Sequence, residues 1–326
     1  MKNLLPIITI TFLTILLTLF SCKKDKEKVV PAVNNTTSTA TPTPTPTTST
    51  SNLNNFFKQN VLDATQTFTI DASLGQTITG DQGTSIFIPA NSFQNNSNNI
   101  VSGNITIELI EIQTQADMIW LNKTTTSNGQ LLVSGGELSI KAFQNGEQLT
   151  LSSAGSVSIQ MPTNNPVNMS LFSGSEDSTG FVNWTPTGTN VPLDTTGGFT
   201  FTIQSGTFSN DSLGWINCDY FYNQSNLTTL TVILPPNHDE SNTSIWLFFN
   251  SIYAAAPALW DYTYNNFQSY QNSLPIGEQI TIVAVSEVNG QMYSSFTPIT
   301  LTANQSETIS LTQTTATAFQ TDLNNL

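Results

Sequence analysis

Along the chain beyond residue 60, apolar and polar residues alternate with a period of two, and a helical period does not recur. Ile105, Ile107 and Leu109 are separated by Thr106 and Glu108, and Leu138, Ile140 and Ala142 by Ser139 and Lys141. Val157, Ile159 and Met161 repeat the pattern, as do Phe199, Phe201 and Ile203, and Ile280, Ile282 and Ala284. One buried and one wetted face is the mark of an antiparallel sheet. Asn128-Gly129, Asn145-Gly146 and Asn289-Gly290 each lie between strand-like runs, where a two-residue hairpin turn needs positive φ. Trp246 to Phe249 is a continuous apolar run and reads as a core strand. A short helix is predicted near Ala254–Trp260, limited by Pro257.

The whole reads as an all-β protein, with two antiparallel β-sandwich domains behind a signal peptide and a disordered tether. The expected divisions are 1–21 for the signal peptide, 22–59 for the tether and 60–165 for the first sandwich. Residues 166–212 form a connecting segment that either links the domains or completes the first, and 213–326 form the second sandwich. Prolines 162, 166, 186 and 192 mark the connecting segment.

The N-terminus departs from this pattern. Met1-Lys2-Asn3 gives a positive start, Leu4 to Phe20 an apolar run, and Leu19-Phe20-Ser21-Cys22 a small residue before a cysteine. This last stretch resembles the bacterial lipobox, with Phe20 departing from the usual small or aliphatic residue. The resemblance implies cleavage before Cys22 and lipid on its sulfur, with the membrane as a partner through acyl chains. Lys23-Lys24-Asp25-Lys26-Glu27-Lys28 resembles the charged stretch that sends some Bacteroidota lipoproteins to the cell surface, and reads equally as solvation near headgroups. The implied address is the outer membrane. The Thr-Pro repeat at 41–46 cannot bury a core and biases the backbone to an extended form.

The body itself is strongly acidic. All eight cationic residues of the 326-residue chain are lysines, and beyond residue 60 only Lys123 and Lys141 remain against twenty acids, a net charge near −18. Such a surface repels phosphate backbones and excludes nucleic acid as a partner. Cys218 is the only cysteine besides Cys22, so no disulfide within the body is expected, and its apolar setting reads as a small buried hydrophobe.

The order Gly83-Thr84-Ser85-Ile86-Phe87-Ile88-Pro89-Ala90-Asn91, Val101-Ser102-Gly103-Asn104-Ile105, and Ser134-Gly135-Gly136-Glu137-Leu138 is similar to that of uncharacterised Bacteroidota surface lipoproteins. Leu213-Gly214-Trp215-Ile216-Asn217-Cys218-Asp219 also resembles a stretch recurring in them. More distantly, the first domain resembles the β-sandwich of ankyrins and netrin receptors. The resemblance implies a fold and an address, and no activity.

Candidate chemistry is sparse. His238 is the single histidine, expected on an exposed loop, and no catalytic or metal-ligating set is expected, nor any cofactor. Glu108/Glu111, Glu176/Asp177 and Asp239/Glu240 are carboxylate pairs without specific spacing. Trp260, Tyr262 and Tyr264 alternate with polar residues and are the candidate ligand-binding row, since flat rings stack on sugars. Asp177-Ser178-Thr179, Asp194-Thr195-Thr196 and Asp211-Ser212-Leu213 resemble the Bacteroidota O-glycosylation motif and make Ser178, Thr195 and Ser212 candidate acceptors. The favoured function is a membrane-anchored, non-catalytic binding or structural module whose partner is a glycan or another envelope protein. The alternatives are a glycan-binding accessory of a polysaccharide-uptake system and, last, a glycoside hydrolase.

Overall fold

A computed structural model describes residues 52–209 and 211–326. The proposed signal peptide, Cys22 and most of the expected tether fall outside them.

The described chain is all-β, with three short helices. The three Asn-Gly pairs form the hairpin turns expected, each with positive φ at both residues (48° and 83° at Asn128-Gly129). In the first sandwich, the larger sheet is built on Gln66–Asp71, Asn104–Ile112, Gln130–Gln144, Trp215–Phe221, Met169–Glu176 and Val182–Val191, in that spatial order. A four-stranded sheet faces it: Phe199–Gln204, Ser156–Met161, Ser85–Ile88 and Gln76–Thr79. Between them lie the period-two residues Ile105, Ile107, Leu138, Ile140, Val157, Ile159 and Phe199, with Cys218 among them.

The second half is one eight-stranded sheet that curls over its own core. The corner is the strand Ala255–Asp261. Its residues Ala255 to Ala258 pair with Thr243–Phe249, and Leu259 to Asp261 pair with Asn266–Gln268. The helix expected near 254–260 is therefore a strand. Pro257 stands opposite Trp246, and the pairing with Asn266–Gln268 on the other side begins only at Leu259, so the missing N–H of Pro257 interrupts no pairing on that side.

Two boundaries shift. The strand Trp215–Phe221 lies inside the first sandwich, hydrogen-bonded to Gln130–Gln144 on one side and Met169–Glu176 on the other. Residues 166–212 thus complete the first sandwich, and the division at 213 moves to between Phe221 and Leu227. Helix α1, Asn52–Asp63, occupies the end of the segment expected to be tether. Leu53, Phe57 and Asn60 fall at i, i+4 and i+7 on one buried stripe. Thr114 and Thr315 cap α2, Gln115–Trp120, and α3, Ala316–Asn324, by accepting the backbone N–H of the third residue on.

The three helices fill the seam between the two halves. There the outer face of the larger sheet (Ile110, Ile112, Phe172, Trp184) meets the outer face of the second sheet (Trp246, Phe248, Val283, Val285) in a third core. Thr243–Phe249 and Gln279–Val288 are consequently buried on both faces. Trp246 is fully buried, edge-on to Phe57 at 5.4 Å, and its Nε1 donates to Asn122 Oδ1 at 3.2 Å.

Replacing Trp246 with Ala should cost about 3–5 kcal/mol. Because the seam is shared, urea unfolding of the variant should remain a single transition, with fluorescence and far-ultraviolet dichroism coincident. Two separated transitions, only one of them shifted, would show that the halves do not depend on a common core.

Candidate functional site

One turn, Asp177 to Phe181, stands at the junction of the two halves. Asp177 Oδ1 accepts from Thr179 N (2.8 Å), Thr179 Oγ1 (2.6 Å) and Phe181 N (3.1 Å), which closes the turn on its own carboxylate. Gly180 completes it at φ 88°, where a side chain would be strained.

The turn is tied down from behind. Lys123 Nζ donates to Glu176 Oε1 at 3.0 Å and to Gly180 O at 2.7 Å, and lies 5.0 Å from the Trp215 ring. Trp215 Nε1 donates to the other oxygen of Glu176 at 2.8 Å. Asn122, which follows α2 at φ 57°, donates its amide to Thr179 O at 3.2 Å. Lys123 is 1% exposed; burial lowers its pKa, and Glu176 beside it opposes that fall.

Hollows of different character open around this wall. A groove of about 390 Å³ runs between the turn and the second sheet, lined by Asn122, Thr179, Phe181, Thr243, Trp260 and Tyr262. A smaller recess of about 180 Å³, lined by Val182, Pro257 and Tyr270, adjoins it through Phe181 and Leu259. On the other flank of the turn, a cleft of about 320 Å³ separates it from α1.

The candidate aromatic row divides. Trp260 is half-buried, edge-on to Phe267 at 5.1 Å, and backs the second core. Tyr262 and Tyr264 stand 77% and 70% exposed on a hairpin tip, which Asp261 Oδ1 shapes by accepting from Thr263 N at 2.7 Å. Trp260 and Tyr262 line the groove; Tyr264 lies outside that lining.

Ser178 and Thr195 sit at exposed tips of two turns built alike. Asp194 Oδ1 accepts from Thr196 N, Thr196 Oγ1 and Gly198 N, as Asp177 does from its own turn. The hydrogen bonds from Thr196 and Thr200 hold the Asp194 carboxyl below its ordinary pKa. Ser212 differs: it is half-buried and accepts from Gln148 Nε2 at 3.2 Å.

The remaining candidates are occupied elsewhere. Glu111 is buried and accepts from Gln66 Nε2, Gln82 N and Thr84 N. Asp239 caps its own turn through Ser241 N at 2.9 Å, while Glu240 reaches the groove lining. His238 is half-buried rather than exposed, its Nδ1 2.7 Å from Ser286 Oγ. Burial lowers its pKa, against the pull of Asp239, so the ring is neutral at pH 7. Ser286 is fully buried, so this histidine–serine contact offers no nucleophile to a substrate.

What the sequence does not announce is a polar cluster under the seam. Glu137 and Asp219 are fully buried, on the face of the larger sheet that the second half covers. Both Glu137 oxygens and Asp219 Oδ1 have no hydrogen-bond partner among the described residues. Asn217 bridges the cluster, donating to Asp219 Oδ2 at 2.8 Å and accepting from Ser134 Oγ at 3.0 Å. The lid is the segment around Tyr253, whose carbonyl accepts from Ser134 N at 2.8 Å. Burial pushes the Glu137 carboxyl up to about 8, against the pull of Lys123. Burial and then the neighbouring Glu137 raise Asp219. Among the described residues, no three of His, Cys, Asp and Glu gather as metal ligands.

No known protein family and no curated protein matches the chain.

Glu137 binds its proton more tightly folded than unfolded, so folding loses stability as pH rises from its ordinary value of 4.5 to about 8. The loss should be on the order of a few kcal/mol. Thermal melts from pH 5 to pH 9 should show the melting temperature falling across that window, and Glu137→Gln should flatten the fall. A wild-type profile that is level, or that rises from pH 5 to 8, would contradict this account.

Proposed function

We propose that the chain is a non-catalytic binding module, anchored to the outer membrane by lipid at Cys22, whose ligand sits in the groove beside the Asp177–Phe181 turn. The observation that carries the reading is the groove itself. It has a wall stiffened by the Lys123–Glu176–Trp215 ties, and a lining that mixes aromatic, amide and hydroxyl groups. The anchor rests on Leu19-Phe20-Ser21-Cys22 and on the cationic start before it.

A glycan is the ligand class this lining favours. Trp260 and Tyr262 offer rings, while Thr179 and Ser244 offer hydroxyls that exchange hydrogen bonds with a sugar; Asn122 and Thr243 lie buried behind them, their polar groups engaged within the protein. Hydrolysis of that glycan finds less support. Of the two acids on the groove, Asp177 and Glu240, the first already accepts three hydrogen bonds from its own turn.

Two experiments test the reading. Replacing Trp260 and Tyr262 with Ala should weaken retention on a glycan panel at least tenfold while the melting temperature moves little for Tyr262→Ala; unchanged retention would remove the groove from the account. In cells fed a fatty-acid analogue, the wild type should take up label and Cys22→Ala should not. An unlabelled wild type would remove the anchor.

A further inference from the structure

We propose that the groove belongs to a longer site for an uncharged glycolipid, with the sugar against Trp260 and Tyr262 and the alkyl chain in the cleft between α1 and the Asp177–Gly180 turn. This rests on the groove being a binding site and names what lies beyond its end.

The two hollows are neighbours by construction. Asn54, Asn122, Asp177 and Thr179 line both, so the two adjoin on either flank of the tied-down turn, close enough for one ligand to reach over it. Their chemistry changes across that shared border. On the groove side stand rings and hydroxyls. On the cleft side stand Phe57, Val61, Leu62 and Leu121. The shared residues are amides, a hydroxyl and a carboxylate, the groups suited to the glycosidic junction of an amphiphile.

Helix α1 supplies the second argument. Its stripe of Leu53, Phe57 and Asn60 is already buried in the seam. Val61 packs against that same seam core, whereas Leu62 lies on the opposite side of the helix and is 65% exposed beside the cleft. An apolar side chain left uncovered at the rim of a cleft gains from an apolar occupant.

Charge decides the class of head group. The cleft carries two lysines and two acids: Lys123 is paired with Glu176 at 3.0 Å, and Lys58 and Asp177 complete the count. Glu240 adds one more acid on the groove side. No cation is in excess, so a phosphate or carboxylate head gains nothing here, while an uncharged sugar meets no penalty.

The test is calorimetric binding of n-octyl glycosides (glucoside, galactoside, mannoside and N-acetylglucosaminide), below their micelle concentrations, against the matching methyl glycosides and 1-octanol. Each buried methylene strengthens binding about fourfold. At least one octyl glycoside should therefore bind about thirtyfold or more tighter than its methyl partner. Leu62→Asp, at an exposed position, should abolish that gain and leave methyl glycoside binding unchanged, whereas Tyr262→Ala should weaken both. If octyl and methyl glycosides bind alike, the alkyl site is overturned while the groove stands. If octanol binds as tightly as every octyl glycoside and Tyr262→Ala changes nothing, the sugar part is overturned. If no glycoside of either kind binds, the glycan reading of the groove and this extension fail together.

Discussion

Two strands, Thr243–Phe249 and Gln279–Val288, have no solvent face, and the architecture follows from that constraint. One side of each closes the second sandwich around Ile245, Leu247, Ile280 and Ile282. The other side presents Trp246, Phe248, Val283 and Val285 to the first sandwich and to the helices. A strand pair of this kind cannot be exposed without opening a large apolar surface to water. The helices are therefore fillers of a seam, each too short to be stable alone, with α1 held by Leu53 and Phe57 and α3 by Phe319 and Leu323.

The seam also explains the odd electrostatics. In an isolated sandwich, Glu137, Ser139 and Lys141 would be the wet face of a half-buried strand. Covering that face leaves Glu137 and Asp219 without water and without enough donors, and their acidity weakens accordingly. Lys123 is placed nearby but gives its hydrogen bonds to Glu176 and Gly180, so it stiffens the groove wall. The buried acids are thus a cost of joining the halves, and the buried lysine is what steadies the proposed site.

This division marks what the sequence could and could not show. Strands such as Asn104–Ile112 and Ser156–Met161 were legible because each has one wet face, and the hairpins because Asn-Gly suits two successive positive φ angles. Ala255–Asp261 looks like a broken helix in sequence because Ala254-Ala255-Ala256 with Pro257 shows no alternation in a strand buried on both sides over Ala255–Ala258. The helix α1 at the end of the expected tether is amphipathic only toward a seam that the sequence does not display. The boundary near 213 failed because Trp215–Phe221 enters a sheet whose neighbours are far away in the chain. Trp260 and Tyr262 could be picked out by alternation. The groove could not, since it gathers residues 54, 122, 177–181, 243–245 and 258–262, which no spacing rule connects.

The placement of the lysines has one more effect. A protease that cuts after basic residues needs a lysine or arginine on a segment that can be drawn out into its cleft. The chain has no arginine, and beyond α1 only two lysines. Lys123 is sealed under the turn, and Lys141 sits mid-strand opposite Glu108, paired in a central position of the larger sheet. Trypsin-type digestion of the folded body is thereby limited to Lys58 on α1, or must wait for the seam itself to open.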